Sequence, residues 1–472
     1  MFRPTLLVPA LALALAACSS PTAPPRPAAP VPGQWPGAVS AVGARDAAKT
    51  HWRNFFPDPR LQALIEAALQ NNRDLRIAAG RVLEARAQYG ISRADRLPTA
   101  NLFGQATYQQ TPPSLNYTGE PLTSERYDLS LSSLQYELDF WGRVANLTEA
   151  ARTSYLASEE ARRAVQLTLV ADVASAYFQQ LQATELAALA RANVASREDS
   201  VALITKGRDI GATYDFELDQ ARGLLENARS NLAALDHQRI QASNQLAYLV
   251  GGLPEQLPRG LPLAAQGVDN DLAPGLPGEV LLLRPDVMAA EQRLAASHAN
   301  IQAARAAFFP KIMLTAGLGV AGAGLGSLFA AKAWTFQPSL TLPLFDGGRT
   351  EAALDVAKAR QVIAVADYEK AIQQAFRDVS DQLSARASLA VQLRSAQANR
   401  EAQARRLTVA QARQDAGLVS YLEVLEAERD LVAARQTVAQ IQRAQLESAT
   451  LLYKALGGGS QAAAVAAAPA QP

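Results

Sequence analysis

The feature that most constrains the fold of this chain is an internal repeat of its sequence. Identical residues recur at a constant separation, since 349 − 143 and 457 − 251 both equal 206. The pairs at this separation include Gly142-Arg143 with Gly348-Arg349, Asp209 with Asp415, Gly211 with Gly417, and Gly251-Gly252 with Gly457-Gly458. Nearer the start of each copy the separation is 212 (310 − 98), so the first copy carries six extra residues between Pro98 and Arg143. A constant separation over this length predicts two copies of one structural unit.

The hydrophobic period changes in the same order in both copies. First helices are expected at about 61–96 and 284–309, each ended by a proline. Apolar and polar residues then alternate over about 98–140 and 310–345, which is the period of strands with one apolar and one polar face. The alternation changes phase at Ser132-Ser133, which predicts a β-bulge.

Long helices are predicted for the rest of each copy, at about 143–250 and 349–456. Apolar residues there follow a heptad pattern, and no proline or glycine interrupts Val144 to Lys206. Such a length without helix-ending signals is typical of coiled coils. Gly211 and Gly417 then permit the chain to reverse into a second helix. The predicted fold class is mainly α with a small β part, an internally duplicated helix–strand–strand–long helix–helix unit.

The N-terminus has the pattern of a secretion signal. Residues 1–17 combine a basic start with a Leu/Ala-rich run that is too short to span a bilayer, which predicts a signal peptide. The run ends in Leu15-Ala16-Ala17-Cys18, which resembles a bacterial lipobox, so cleavage would leave Cys18 to carry lipid such as palmitate. Ser19 follows it, as in lipoproteins that are sent to the outer membrane. The alternative is an ordinary secretory signal with an incidental cysteine.

Three segments are predicted to lie outside the repeats. Residues 18–50 are rich in Pro and Ala, which predicts an extended, lipidated linker with no packed core. Residues 253–280 form an inter-repeat linker, and residues 459–472 have the composition of a disordered tail. These assignments leave 51–252 as repeat 1 and 281–458 as repeat 2.

The composition argues against several classes of function. Lys and Arg total 45 against 44 Asp and Glu, so there is no basic excess to bind nucleic acid. His51, His237 and His298 are scattered, and Cys18 is the sole cysteine of the sequence. The sequence has no phosphate-binding loop and no clustered metal ligands, so we expect no enzyme activity, no cofactor and no metal.

The number of strands bears on the oligomeric state. Four strands with one apolar face cannot stand alone in a membrane, because their edges would leave backbone groups without hydrogen bonds. Two chains would give eight strands, a barrel filled by its own side chains, whereas three chains give 12 strands and room for a lumen. Three chains also bring 12 long helix segments, enough to continue the barrel as a helical tube. The pattern therefore favours a trimer.

The order of motifs along the chain resembles a known family. They resemble the TolC/OprM outer-membrane efflux family, NodT-like lipoprotein branch. The resemblance rests on the lipobox, the duplicated body and three motifs: Trp52-Arg53-Asn54-Phe55-Phe56-Pro57-Asp58-Pro59, Asn71-Asn72-Arg73-Asp74-Leu75, and the end Tyr453-Lys454-Ala455-Leu456-Gly457-Gly458-Gly459. The resemblance implies a homotrimer with a 12-stranded β-barrel in the outer membrane and a long α-helical barrel in the periplasm. It further implies the exit duct of a tripartite pump, with a periplasmic adaptor and an inner-membrane transporter, that exports drugs or other small molecules.

The resemblance assigns a role to the two helix reversals. Ile210-Gly211-Ala212 and Ala416-Gly417-Leu418 are expected to form the periplasmic tips. In the family, small and apolar tips of this kind meet the adaptor. The alternative is that they are only turns.

A candidate gate follows the second tip. Glu423 and Glu426 are three residues apart and share a helix face, which on sequence alone indicates a solvated surface. The resemblance instead places both in an acidic constriction at the closed periplasmic end, with Leu422 as the apolar gate residue and Arg429 as a gate arginine. The first copy departs from this pattern with Phe216, Gln220 and Gly223, and Gln414 and Val419 stand where the family has tyrosine and arginine links.

A second hypothesis is a pore-less, lipid-anchored coiled-coil protein that braces the cell envelope. A brace needs long helices but no amphipathic strand pairs. The alternating segments at 98–140 and 310–345 therefore argue for the channel.

Overall fold

The computed structural model describes residues 27–36, 45–268 and 272–460. The predicted signal peptide, Cys18 and the tail from residue 461 lie outside the described residues. The chain divides into two compact units. One, here called the sheet unit, includes Leu83–Ala157 and Ala290–Tyr368. The other, the coil unit, includes the described residues within 29–82, 158–289 and 369–460.

The helices follow the order predicted from the repeat. A single helical turn, Trp52–Phe55, precedes α1 (Pro59–Asn71), α2 (Arg73–Ala94), α3 (Arg143–Asp209) and α4 (Asp215–Val250). After another single turn, Pro277–Val280, the second copy supplies α5 (Pro285–Ala306), α6 (Arg349–Asp415) and α7 (Tyr421–Ala455). The two long helices α3 and α6 have the same length, 67 residues. The duplicated helix–strand–strand–long helix–helix order is thus confirmed. None of the described helices is both long and apolar enough to cross a membrane.

The prediction of one helix over 61–96 is wrong, because the chain breaks at Asn72. Asn72 has an extended backbone (φ −61°, ψ 132°) between α1 and α2. Its side-chain amide donates to the Leu249 carbonyl over 2.8 Å, and its side-chain oxygen accepts from the Leu75 amide over 3.0 Å. Asn72 therefore caps α2 and binds the end of α4 at once, which an unbroken helix would not permit.

Four strands form the sheet of the sheet unit. They are β2 (Asn101–Thr111), β3 (Leu122–Glu137), β5 (Lys311–Gly322) and β6 (Lys332–Thr341), in the order β2-β3-β5-β6 with every neighbouring pair antiparallel. The register of β3 against β5 shifts between Ser133 and Tyr136, beside the phase change in the sequence. Within the described chain, β2 and β6 each pair on one side only, so the sheet has two open edges.

The two faces of the sheet differ in chemistry. The residues on one face are Leu129, Leu131, Leu318, Val320, Trp334 and Phe336, whereas the other carries Gln105, Thr107, Asp128, Ser130, Ser132 and Thr335. Aromatic rings lie at the strand ends. Trp141 stacks on Phe309 with ring centres 4.9 Å apart and donates from Nε1 to the Pro310 carbonyl over 2.8 Å.

The linkers are better packed than their composition predicts. We expected no packed core in 18–50, but the Trp35 ring is buried against Phe376, with ring centres 5.0 Å apart, and its Nε1 donates to the Gly275 carbonyl over 2.8 Å. Strands β1 (Arg45–Asp46) and β4 (Leu272–Ala273) pair in parallel and join this segment to the inter-repeat linker. Pro and Ala content sets local stiffness, but one aromatic side chain is enough to anchor such a segment.

The two terminal motifs meet in the core of the coil unit. Phe55 stacks on Tyr453 with ring centres 4.3 Å apart, and Phe56 makes a T-shaped contact with the same ring. The Tyr453 hydroxyl donates to the Thr50 carbonyl over 2.7 Å, and burial raises the pKa of this hydroxyl, which keeps it protonated. The start of repeat 1 and the end of repeat 2 are therefore held by one aromatic cluster.

Candidate functional site

The two reversals between long helices have the same backbone geometry. Gly211 and Gly417 adopt left-handed φ angles of 76° and 72°. Their amides donate back to the carbonyls of Arg208 (2.9 Å) and Gln414 (2.8 Å), and the next amides, of Ala212 and Leu418, reach five residues back, over 2.7 and 2.8 Å. This is a Schellman motif, which satisfies the last helix carbonyls and needs a residue that tolerates positive φ.

Both turns expose apolar side chains. Ile210 is 82% exposed and Tyr214 80% in the first turn, and Leu418 is 70% exposed in the second. Large apolar side chains at the end of a helical pair find no core of their own, so this apolar surface is left uncovered within one chain.

Each helical pair is closed just beyond its turn by a small apolar cluster. Ile204, Leu218 and Ala221 form the cluster of α3 and α4, and Ala410, Val424 and Ala427 form that of α6 and α7. Each member of the second cluster stands 206 positions after its counterpart (424 − 218, 427 − 221, 410 − 204). The repeat therefore holds in side-chain packing, and Tyr421 packs against both clusters.

The predicted gate residues lie on the exposed side of the first turns of α7. Leu422 is 38% exposed, Glu426 is exposed, and Glu423 accepts from Arg413 of α6 over 3.2 Å. Arg429 binds Asp430 over 3.0 Å. The structure thus joins Glu423 to a neighbouring helix, and it places the described ion pair of Arg429 away from both predicted gate carboxylates.

Asp430 connects the two helices of this pair. It also accepts from Arg406 of α6 over 2.7 Å. The hydrogen bond from Arg429, assisted by that from Arg406, holds the pKa of Asp430 below its usual range. The carboxylate therefore remains ionised at neutral pH and can hold both arginines.

The sequence reasoning missed a polar cluster that joins the two repeats beneath the tips. Arg197 of α3 is buried, and its Nη2 donates to the Leu425 carbonyl of α7 over 3.0 Å. Its Nη1 lies 3.7 Å from Glu428, which also accepts from the Ser196 hydroxyl over 3.1 Å. One turn along, the hydroxyls of Ser200 and Tyr421 are 2.7 Å apart. We call this set the Arg197 cluster: Ser196, Arg197, Ser200, Tyr421, Leu425 and Glu428.

Burial sets the electrostatics of this cluster. Desolvation lowers the pKa of Arg197, and the nearby charge of Glu428 acts in the opposite direction. A buried arginine without a compensating carboxylate would cost folding free energy. A change that removes Glu428 is therefore tolerable only if Arg197 is removed as well. A departure from the repeat could have revealed the Arg197 cluster, because the second copy has Ala402 and Gln403 at the positions of Ser196 and Arg197.

The described residues do not bring together three or more His, Cys, Asp or Glu side chains that could hold a metal ion. The site consists of exposed apolar side chains at the helix ends, charged groups on exposed helix faces and the buried Arg197 cluster, which joins the two repeats.

Comparisons with known proteins identify relatives of the whole chain. The family model "Outer membrane efflux protein" matches residues 64–252 and 276–458, one match in each repeat. The cation efflux system protein CusC of Escherichia coli K12 is 42% identical, over 97% of this chain and 100% of CusC. The probable outer membrane lipoprotein SilC of Salmonella typhimurium is 41% identical, over 97% of this chain and 99% of SilC.

Among solved structures, the open state of the MtrE outer membrane channel of Neisseria gonorrhoeae superposes with a TM-score of 0.86 at 38% identity, covering 94% of this chain and 98% of that one. The fold is thus that of an outer-membrane efflux channel, and the resemblance seen in the sequence is confirmed. With a family match in both repeats and relatives aligned from end to end, this chain belongs to the outer membrane efflux protein family.

Proposed function

We propose that three copies of this chain form the exit duct of a tripartite efflux pump, which passes drugs or other small molecules from the periplasm to the exterior. The observation that carries this proposal is the four-stranded sheet with two open edges and two unlike faces. In hydrocarbon an open edge leaves amide and carbonyl groups without partners, so β6 of one copy must pair with β2 of the next. Three sheets of four strands give a closed barrel of 12, with the polar face toward a lumen.

Mass and conductance together test the duct. The protein extracted in detergent should have the mass of three chains, and in a planar bilayer it should conduct ions in discrete steps. A stable monomer or dimer would contradict the shared barrel. A trimer that never conducts would favour the pore-less, lipid-anchored coiled-coil brace instead.

The tips are proposed to contact the periplasmic adaptor, which in turn binds the inner-membrane transporter. Ile210-Gly211-Ala212 and Ala416-Gly417-Leu418 support this role through the exposed Ile210 and Leu418 side chains. Photo-crosslinking groups placed at Ile210 and Leu418 should capture an adaptor in cells. The same group at exposed Glu401, on the side of α6, serves as the control and should capture none.

The gate is proposed to lie at Leu422, Glu423, Glu426 and Arg429. In a trimer the two glutamates would supply six carboxylates around a narrow end, and such a ring favours cations. Replacing Glu423 and Glu426 by Gln should therefore shift the reversal potential toward weaker cation selectivity, whereas Glu401→Gln should not. If the Glu423→Gln, Glu426→Gln protein and the Glu401→Gln control have the same cation selectivity, Glu423 and Glu426 form an ordinary solvated helix face.

The cargo passes through such a duct unchanged, so the proposed function needs no catalytic group, cofactor, metal or nucleic acid. The proposed location is the outer membrane, with Cys18 lipidated and the helical pairs extending into the periplasm.

A further inference from the structure

The second loop of the sheet folds back onto the strands that carry it. It contains a short helical turn between β5 and β6, Leu325–Ala330, which we call the loop turn. The loop turn packs against β5 and β3, and at its base the Ala321 amide donates to the Ala331 carbonyl over 3.3 Å. A Cβ atom added at Gly322 would lie 2.9 Å from the Leu328 Cα. The backbone of the loop turn can come this close because glycine has no side chain.

This contact shows which face of the sheet the loop turn covers. Gly322 pairs with Tyr127 in the ladder of β5 and β3. Tyr127 shares the apolar face with Leu129, and its hydroxyl lies 2.6 Å from that of Tyr108. Paired residues of neighbouring strands project to the same side of a sheet, so the loop turn covers the end of the apolar face and not of the polar face.

The position of the loop turn along the strands matches one edge of a membrane. On β5 the apolar face extends from Ile312 to Gly322 (322 − 312 = 10 residues), which is about 33 Å of strand. A tilt of about 40° makes this a band about 25 Å tall, the height of the apolar band of membrane barrels. Hydrocarbon does not tolerate exposed irregular backbone, so the loop turn has to lie at the level of the lipid headgroups. Tyrosine rings such as those of Tyr108 and Tyr127 are favoured at the same level.

The exposed side chains of the loop turn suit a lipid surface. Leu325 is 70% exposed and Phe329 is 76% exposed, and both belong to the segment that covers the apolar face. Lys332, the first residue of β6, is exposed and pairs with Val320, so it projects from the same face. At the headgroup level a lysine attracts anionic phosphate, while apolar side chains enter the layer of acyl chains.

We propose that the loop turn lies flat on the outer leaflet of the outer membrane, with Leu325 and Phe329 among the acyl chains and Lys332 on a lipid phosphate. This inference rests on the proposed function, because it needs the sheet to form part of a barrel in the membrane. The other ends of β5 and β6 continue from α5 and into α6, so the loop turn lies on the side of the membrane opposite to the helices. Its partner is therefore a phosphorylated lipid of the outer leaflet.

Fluorescence quenching tests this placement. Single cysteines at Phe329, Leu318 and Leu115 would each carry a fluorescent thiol label, in protein reconstituted into phosphatidylcholine vesicles that contain spin-labelled lipid. Leu318 lies on the apolar face of β5, and Leu115 is an exposed apolar residue of the first loop. The labels at Leu318 and Phe329 should lose most of their fluorescence, whereas the label at Leu115 should lose little. Unmutated protein controls for any labelling of Cys18.

The three labels separate this proposal from the proposed function. If the label at Leu318 is not quenched, the sheet does not face lipid and the proposed duct itself is wrong. If the label at Leu318 is quenched but that at Phe329 is quenched no more than that at Leu115, the loop turn does not touch the membrane, and only the present proposal is wrong.

Displacing the loop turn provides a second test. Gly322→Ala places a methyl group against the Leu328 backbone, so it should push the loop turn off the sheet and reduce the quenching of the Phe329 label. Gly104→Ala is the matched control on the apolar face of β2, where the added Cβ would lie 3.7 Å from the Leu129 side chain, an ordinary contact. Both variants are compared as trimers of confirmed mass. Equal quenching of the Phe329 label in the two variants would contradict the proposal.

Phosphatidic acid is the probe for the headgroup contact. Native mass spectrometry of the detergent-solubilised trimer should count the same bound phosphatidic acid in the wild type and in Lys332→Arg, whereas Lys332→Gln should bind it roughly fivefold more weakly. Inorganic phosphate should not displace this lipid, because its acyl chains are held by Leu325 and Phe329. The proposal fails if Lys332→Gln binds phosphatidic acid as well as the wild type does, or if inorganic phosphate displaces the lipid.

Discussion

The buried carboxylate of Asp58 holds the N-terminal segment of this chain in place, and replacing Asp58 tests this role stringently. Asp58 is fully buried and accepts four hydrogen bonds: from the amides of Arg60 (2.8 Å) and Leu261 (3.0 Å), the Gln266 side chain (2.8 Å) and the Tyr177 hydroxyl (2.9 Å). Burial and the charge of Asp58 raise the pKa of Tyr177, so this hydroxyl stays protonated and donates. One side chain therefore joins α1, α3 and the inter-repeat linker.

The cost of Asp58→Ala follows from the donors that it leaves behind. Loss of the N-cap of α1 costs about 1 kcal/mol. The Tyr177 hydroxyl and the Leu261 amide lose their acceptor, at about 1–3 kcal/mol each. Gln266 keeps a second acceptor, the Leu261 carbonyl at 2.7 Å, so it adds little. If water enters the vacated space and offsets part of this, a loss of roughly 3–5 kcal/mol remains.

Thermal unfolding of the detergent-solubilised protein, followed by circular dichroism at one fixed scan rate, measures the effect. Asp58→Ala should lower the apparent midpoint by roughly 6–10 °C, taking about 2 °C per kcal/mol for a protein of this size. Asp199→Ala removes an exposed aspartate from α3 and should change the midpoint by no more than about 1 °C.

A double-mutant cycle sharpens this test. Tyr177→Phe alone should destabilise the protein, but it should cost little once Asp58 is already Ala, because the hydroxyl has then lost its partner. Equal midpoints for Asp58→Ala and Asp199→Ala, or strictly additive effects of Asp58→Ala and Tyr177→Phe, would refute the reasoning.

Three further predictions concern the gate, pH and the lipid. Leu422→Ser should raise the resting conductance in a planar bilayer, whereas Phe216→Ser, at the same place in the first repeat, should leave it unchanged. Equal conductances of the two variants would show that Leu422 does not line the constriction. Arg429 lowers the pKa of Asp430 in the folded protein. The stability that ionised Asp430 contributes to the fold is therefore present above the unfolded pKa of 3.8 and is lost as the pH falls through the folded pKa. Asp430→Asn should therefore lower the thermal midpoint more at pH 7 than at pH 3, and an equal shift at both would contradict this ion-pair account. The mass of the mature protein should correspond to a chain that begins at an acylated Cys18, and an unmodified Cys18 would disprove lipidation.

Local pattern was enough to predict most elements of this fold, because most are specified by residues close in sequence. A constant separation of 206 residues (349 − 143) revealed the duplication, and the change from helical to alternating period located both strand pairs. Gly211 and Gly417 were identified as reversals from residue type alone, since few residues other than glycine adopt their positive φ. The break at Asn72 was missed because its cause is the distant Leu249 carbonyl.

Tertiary structure decided which side chains meet across the repeats. Nothing in the local pattern marks Trp35 as an anchor or Asp58 as the acceptor for Tyr177, since these partners lie far apart in sequence. The burial of Arg197 against Glu428 depends on how α3 packs on α7, and heptad periodicity predicts an apolar seam without predicting which partner helix will cover it. Hydrophobic period is a property of one segment, but the pairing of buried charges is a property of two, and so only the folded chain could reveal it.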